Sequence, residues 1–356
     1  MPHQPPSFGS QEYWDARFTS NSHPFEWLEA PTALDPYLVE ALSNTGAQQP
    51  QLLHIGCGTS LLSYHLRAHV VKPEQIHNLD YSHVAIDIGR KREREIYNAS
   101  ENEVDYNEND KRDKMGTIQE NDQTIHGVEE RQMKPVPSQF IPPEQSKTKC
   151  MRWSSTDLLD HSSLLRVCEP AAYSIIVDKS TSDSIACAED IYVPLPYPVQ
   201  YTTAPNPLDK PLTSRVSVSP EPVHPLYILA VHLALLTLPK ARWISLSYSQ
   251  ERYPFCRPPP PAFMSSDTVS GKASTPTSTS AAHIGPIDNE IIPQTALDGG
   301  FPDPTILWRL KTKHKVEVPA HANTTEDNKE VTHRPKVLHW VYVLERTDVP
   351  VFAQKQ

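Results

Sequence analysis

Leu52-Leu53-His54-Ile55-Gly56-Cys57-Gly58-Thr59-Ser60 is the stretch on which the fold of this chain turns. An apolar run of strand length enters a glycine-containing turn, and Leu61 to His69 then carries apolar residues at roughly helical spacing. Gly56 and Gly58 let the backbone approach a ligand closely at the carboxyl end of a strand, where open α/β sheets bind their ligands. A tight turn alone would account for Gly-x-Gly, so the surroundings decide. Outward from this point, Ile76 to Leu79 reads as a second strand and Val84 to Ile96 as a second helix. Further apolar runs at Tyr173 to Val177, Ala241 to Tyr248, Thr305 to Leu310 and Val337 to Leu344 supply more strands, and Leu226 to Leu238, apolar on most sides and stopped by Pro239, reads as a buried helix. The β-α-β-α order predicts an α/β fold with a mostly parallel sheet and helices on both faces.

The 356 residues include 36 prolines but only 11 glycines, with 38% hydrophobic residues, an excess of proline that a domain packed throughout does not carry. Three stretches hold the surplus of polar and proline residues: Asn98 to Lys149, Tyr192 to Pro225 and Pro258 to Thr295. Each is expected to be a disordered insertion, because it lacks the apolar surface needed to offset the entropy of ordering. With residues 1–12 expected to be a disordered start, one domain over residues 13–349 remains, and Pro319 to Pro335 is expected to be a long hairpin loop.

A formal charge of −10 gives no basic field for a nucleic-acid backbone and suits a basic protein partner better. Cys57, Cys150, Cys168, Cys187 and Cys256 lack the paired spacing of a zinc site or a disulfide framework, so reduced thiols and no metal are expected. No apolar run reaches membrane-spanning length and the polar start does not resemble a signal peptide, so the expectation is a soluble cytoplasmic protein that binds neither membrane nor nucleic acid.

Acidic residues recur where strands end. Asp80 lies about twenty residues past the glycine turn, placed to accept hydrogen bonds from the ribose hydroxyls of an adenosine cofactor, although capping the next helix would use it equally well. Trp153-Ser154-Ser155-Thr156-Asp157-Leu158 reads as a third strand whose Asp157 meets an adenine amino group while Leu158 covers the ring, or else as another helix cap. Ile175-Ile176-Val177-Asp178-Lys179-Ser180-Thr181-Ser182-Asp183 brings charge abruptly to the end of a buried strand. Thr59-Ser60-Leu61 supplies no third glycine where a dinucleotide site has one, which argues against a nicotinamide cofactor.

Together these residues resemble the methyltransferase-like family of class I S-adenosylmethionine-dependent methyltransferases that includes the lysine methyltransferases of translation elongation factor 1-alpha. The resemblance rests on Tyr13-Trp14-Asp15-Ala16-Arg17-Phe18, Phe25-Glu26-Trp27, Gly56 to Ser60, Asp80-Tyr81-Ser82 and Asp178 to Asp183. It covers Tyr13 to Tyr97 and Cys150 to Ala188, and beyond Leu226 only the order of elements. It implies a Rossmann-like seven-stranded sheet, S-adenosyl-L-methionine as cofactor, and a protein substrate, with a translation elongation factor as one candidate. By the same likeness Trp14, Phe18 and Trp27 form an N-terminal lid over the methionine end of the cofactor. Gly56, Gly58, Asp80, Tyr81, Asp157, Leu158 and Lys179 line the rest. Thr59, Asp178 and Ser180 depart from the family's Asn, Glu and Gly, and the proline-rich insertion enters where relatives shape the substrate entrance. The expected activity is therefore methyl transfer to a protein lysine, with a small-molecule acceptor or an inactive interaction domain as alternatives. Asp178, Asp183 and Tyr81 are the polar groups expected to guide the acceptor amine, and none is assigned as a base.

Overall fold

The strand that leads into the glycine turn is the middle of a sheet. The computed structural model describes residues 6–109, 150–202, 216–256, 292–317 and 337–354, giving only backbone for 98–109. Two helices, α1 (Gln11–Ser20) and α2 (Asp35–Asn44), precede β1 (Leu52–Ile55). Then come α3 (Leu62–His65), β2 (Ile76–Asp80), α4 (His83–Asn109), β3 (Arg152–Ser155), α5 (His161–Val167), β4 (Tyr173–Lys179) and α6 (Thr181–Ile185). Short strands β5 (Pro194–Leu195), β6 (Val199–Tyr201) and β7 (Ser217–Val218) lead to α7 (Pro225–Leu236) and β8 (Thr237–Ser247). The chain closes with α8 (Gln294–Asp298), α9 (Pro304–Leu307), β9 (Trp308–Glu317), β10 (Leu338–Arg346) and β11 (Val351–Ala353).

Seven strands form one sheet in the order β3-β2-β1-β4-β8-β10-β9. Pairing is parallel from β3 across to β8, and β10 runs antiparallel to both its neighbours. The expected Rossmann-like, mostly parallel sheet is thus present. Strand periodicity divides the core between its faces. Leu53, Ile55 and Ile176 pack with α7, while Leu52, Ile175 and Val177 pack with Leu34, Leu38, Leu62 and Leu66 from the α2 and α3 side. Every residue of α7 is buried, as its all-round apolar sequence requires. Pro225 sits in the first turn, where its missing N–H costs nothing, and His224 accepts a hydrogen bond from the Leu226 N–H. Each large aliphatic side chain fully buried here contributes roughly 1.5–3 kcal/mol.

Several expectations need correction. Residues 6–12 are ordered: Phe8 packs against Trp14, whose indole N–H donates to the Phe8 carbonyl at 2.8 Å, and Ser10 caps α1. The proline-rich stretch from Tyr192 is packed at both flanks, with β5 paired to β7 and β6 to β11. The reason is period two: Val193, Leu195, Tyr197 and Val199 are buried, while Pro194, Pro196 and Pro198 fall on the alternate side, where a short edge strand tolerates a missing donor. Residues 203–215 of that insertion, 110–149 and 258–291 of the other two, and the expected loop at 319–335 lie outside the described residues, while the end of the third expected insertion is ordered, with Ile292 buried and α8 beginning at Gln294. The backbone of α4 continues to Asn109, past the expected end at Ile96 and into the polar stretch. The helix expected at Leu61 to His69 is one α turn followed by a 3-10 turn, Leu66–His69. At Thr305 to Leu310 a helical turn precedes the strand, because Asp303 caps it and Pro304 starts it.

Candidate functional site

The carboxyl ends of β1, β2 and β4 and the loop after β3 open on one cavity of about 420 Å³, within the range of small-ligand sites. All ten residues expected to hold a cofactor line it: Trp14, Phe18, Trp27, Gly56, Gly58, Asp80, Tyr81, Asp157, Leu158 and Lys179. Its floor is the glycine turn. Gly56 and Gly58 have φ of +56° and +50°, the left-handed region that side chains disfavour. A Cβ on Gly56 would also lie 2.1 Å from Thr181 Oγ1, which is held by donating to the Ile55 carbonyl at 2.9 Å.

Asp80 does two jobs. Its Oδ2 accepts from the Gly58 N–H at 2.7 Å and its Oδ1 from the Ser82 N–H at 2.8 Å, so it ties the glycine turn to the start of α4. Each carboxylate oxygen offers a second lone pair, leaving acceptor capacity toward the cavity. Burial raises its pKa to about 6, against the opposing pull of these two N–H donors. Asp157 accepts from the Leu159 N–H at 2.8 Å, and burial raises its pKa as well. Neither aspartate is itself the helix cap: Ser82 accepts from the Ala85 N–H at the start of α4 and Asp160 caps α5, while Asp80 and Asp157 hold the turns before them and line the cavity.

Aromatic side chains make the roof. Trp14 stacks on Phe18 with centroids 5.7 Å apart, Phe8 lies edge-on to Trp27, and Phe18 passes within 3.4 Å of where a Gly58 side chain would begin. The Gln11 amide donates to the Tyr81 carbonyl at 2.9 Å, which fastens α1 over the end of β2. A second fastening was not legible beforehand: Lys179 is ion-paired with Glu26 and donates to the Glu29 carbonyl at 3.1 Å. The other Glu26 oxygen accepts from the Leu61 N–H at 2.6 Å. Burial lowers the Lys179 pKa, opposed by Glu26. Lys179 is thus a wall of the cavity and an anchor for the strap carrying Phe25 and Trp27.

Two of the three groups expected to guide an amine are elsewhere. Asp178 is fully buried and accepts from the Thr181 and Ser182 N–H groups, the Ser182, Ser245 and Tyr253 hydroxyls and the Trp243 indole. Asp183 accepts from Ser180, Ser247 and the Tyr248 N–H and pairs with Arg252 at 2.8 Å. Neither lines the cavity, and only Tyr81 does. The two aspartates at and beyond the end of β4 are therefore a turn-building network. Ser180, at φ +68°, occupies the left-handed position that opens α6. Among the described residues, His54 is a cavity residue not anticipated: it sits between Ser63 and Asn78 at 3.0 and 3.1 Å, and burial lowers its pKa to about 4, keeping it neutral.

No protein-family model matches the chain. Over 85 residues, 24% of this chain, it is 38% identical to methyltransferase srdJ of Neurospora crassa, and the match spans 35% of that relative's length. Similar solved structures include the N-methyltransferase NodS from Bradyrhizobium japonicum in complex with S-adenosyl-L-homocysteine, at 10% identity over 96% of this chain and 99% of that one, with a TM-score of 0.39. Another is the magnesium protoporphyrin IX methyltransferase from Synechocystis with bound S-adenosylmethionine, at 8% identity over 98% of this chain and 100% of that one, with a TM-score of 0.40. Sheet order, a single reversed strand and a cavity at the carboxyl ends of the parallel strands give this chain a Rossmann-like fold.

Proposed function

We propose that the chain is an S-adenosylmethionine-dependent methyltransferase that seats its cofactor in this cavity and methylates a protein lysine. The observation that carries the reading is the convergence of sequence-distant segments, residues 14–27, 56–58, 80–81, 157–158 and 179, on one cavity of about 420 Å³. In this reading Asp80 accepts from the ribose hydroxyls with its remaining lone pairs, and the glycine turn admits the backbone of the methionine moiety. Asp157 meets the adenine amino group with Leu158 on the ring, and Trp14, Phe18 and Trp27 cover the sulfonium end.

Bound there, S-adenosylmethionine supplies a methyl already activated on a sulfonium, so the chain has to orient a nucleophile and exclude water. Asp80 and Asp157 are the acidic side chains among the described lining residues, both assigned to the adenosine. The acceptor amine must therefore arrive neutral without a carboxylate base. For a lysine, whose pKa lies about three units above neutrality, that costs roughly 4 kcal/mol, which desolvation by Phe25, Trp27 and Ile191 at the cavity reduces. The net charge of −10 favours a lysine-rich partner, and a translation elongation factor is one candidate of that kind.

Incubation of the purified chain with methyl-labelled S-adenosylmethionine and a cell lysate, followed by mass spectrometry, tests the proposal. Label on protein lysines is the expected result. Label confined to small molecules overturns the acceptor, and intact binding with no label anywhere overturns the activity.

A further inference from the structure

Three ligand-type atoms converge outside the cavity, on the side of the sheet packed by α2 and α3. Asp35 opens α2, His65 closes α3 and His69 closes the 3-10 turn that follows. The Nε2 atoms of both imidazoles lie against one carboxylate oxygen, Asp35 Oδ1, at 2.5 and 2.9 Å. Among the described residues this is the group of three His, Cys, Asp or Glu side chains whose ligand atoms all fall within 4.8 Å of one another. None of the three lines the cavity.

We propose that Asp35, His65 and His69 form a binding site for a divalent transition-metal ion of the zinc class, with water completing the coordination. Two neutral imidazoles each donating to a carboxylate would account for the contacts, but not for the choice of ligands. The four-residue spacing of the histidines puts both rings on one side of a helical segment, the spacing used by helix-borne zinc sites. Two imidazole nitrogens and one carboxylate oxygen make a three-ligand zinc set that leaves a position for water, and imidazole disfavours magnesium and calcium. Side-chain exposures of 24%, 12% and 35% for His65, His69 and Asp35 leave that position open to solvent.

Bonds of about 2.0–2.1 Å to a tetrahedral ion put its ligand atoms roughly 3.3 Å apart. The two nitrogens thus need to move back from Oδ1 by less than about 1 Å, which side-chain torsions supply. The ion takes the place of the Nε2 protons: each neutral imidazole passes to its Nδ1–H tautomer, so that Nε2 offers its lone pair to the ion and no net proton is released. The expectation of no metal rests on cysteine spacing, and this site uses none.

The position of the site gives the ion a task. Asp35 follows the strap that Glu26 and Glu29 tie to Lys179, and His65 follows the glycine turn, so an ion here staples together the two segments that frame the cavity. Neither the site nor its test depends on which cofactor the cavity holds.

The test is calorimetric titration of the metal-free full-length chain with ZnCl2, with thermal unfolding before and after one equivalent. The wild type should bind one equivalent and melt at a higher temperature, and MgCl2 should do neither. His65→Ala or His69→Ala should weaken binding on the order of tenfold or more, and the double variant should abolish it. Absence of binding by the wild type overturns the proposal, as does unchanged affinity in the double variant, which would put the ion elsewhere on the chain. Should the double variant fail to fold, Co2+ bound to the wild type decides. Visible d–d bands without thiolate charge-transfer absorption support the imidazole–carboxylate set, and charge-transfer bands contradict it.

Discussion

The ends of β2 and β4 both present an aspartate after a buried strand, and the two are used in opposite ways. Asp80 accepts two backbone hydrogen bonds, faces the cavity and keeps lone pairs for a guest. Asp178 is enclosed by six donors from β8, the segment after it and its own turn, and has nothing left to offer. A carboxylate at a strand end is thus a ligand group only when its own fold leaves acceptor capacity unspent. Position in sequence does not reveal which case applies.

The largest effect expected from this contrast is on stability. Asp178→Ala strands buried donors from Ser182, Ser245, Tyr253 and Trp243, and should cost about 3 kcal/mol in denaturant unfolding. Asp178→Asn, which keeps an acceptor, should cost less. If Asp178→Ala is as stable as wild type, the network reading fails.

Asp80→Ala should instead leave the chain folded and weaken S-adenosylmethionine binding about 100-fold, the equivalent of a lost charged hydrogen-bond acceptor. The pH dependence follows from the same side chain. With a pKa of about 6 in the free protein, and a lower one once hydroxyls donate to it, affinity should be flat above pH 6. Below pH 6 it should fall by up to about tenfold per unit, because the ionised carboxylate is the stronger acceptor for the ribose hydroxyls. Asp80→Asn should remove that dependence, and a profile rising toward acid would put the proton elsewhere. The smallest effect is expected at the strap: Glu26→Gln loosens the contacts to Lys179 and Leu61 and should weaken binding about fivefold, or about 1 kcal/mol. Equal loss in stability and none in affinity would make the strap merely structural.

Much of this was legible beforehand, and the failures share a cause. Strand and helix periods are local, so β1, β2, β4 and the buried α7 could be read from Leu52, Ile76, Tyr173 and Leu226 outward. The cavity residues Gly56, Asp80 and Asp157 were legible because each stands at a strand end in a sheet whose direction was known. Partners were not: Lys179 and Glu26 are 153 residues apart, and nothing near either one names the other. His54 hid inside an apolar strand, where its pairing with Asn78 of the next strand satisfies it. Prolines mask the alternation of Val193, Leu195, Tyr197 and Val199, because Pro194, Pro196 and Pro198 fill the positions between them and give the stretch the composition of a loop.

The central claim is that one cleft binds adenosine through Asp80. Calorimetric titration of S-adenosyl-L-homocysteine into the wild type and into Asp80→Ala, both shown by thermal unfolding to be folded, tests it most directly. The account predicts one site per chain in the wild type and an affinity about 100-fold lower in the variant. Equal affinities, or no binding to a folded wild-type chain, would contradict it.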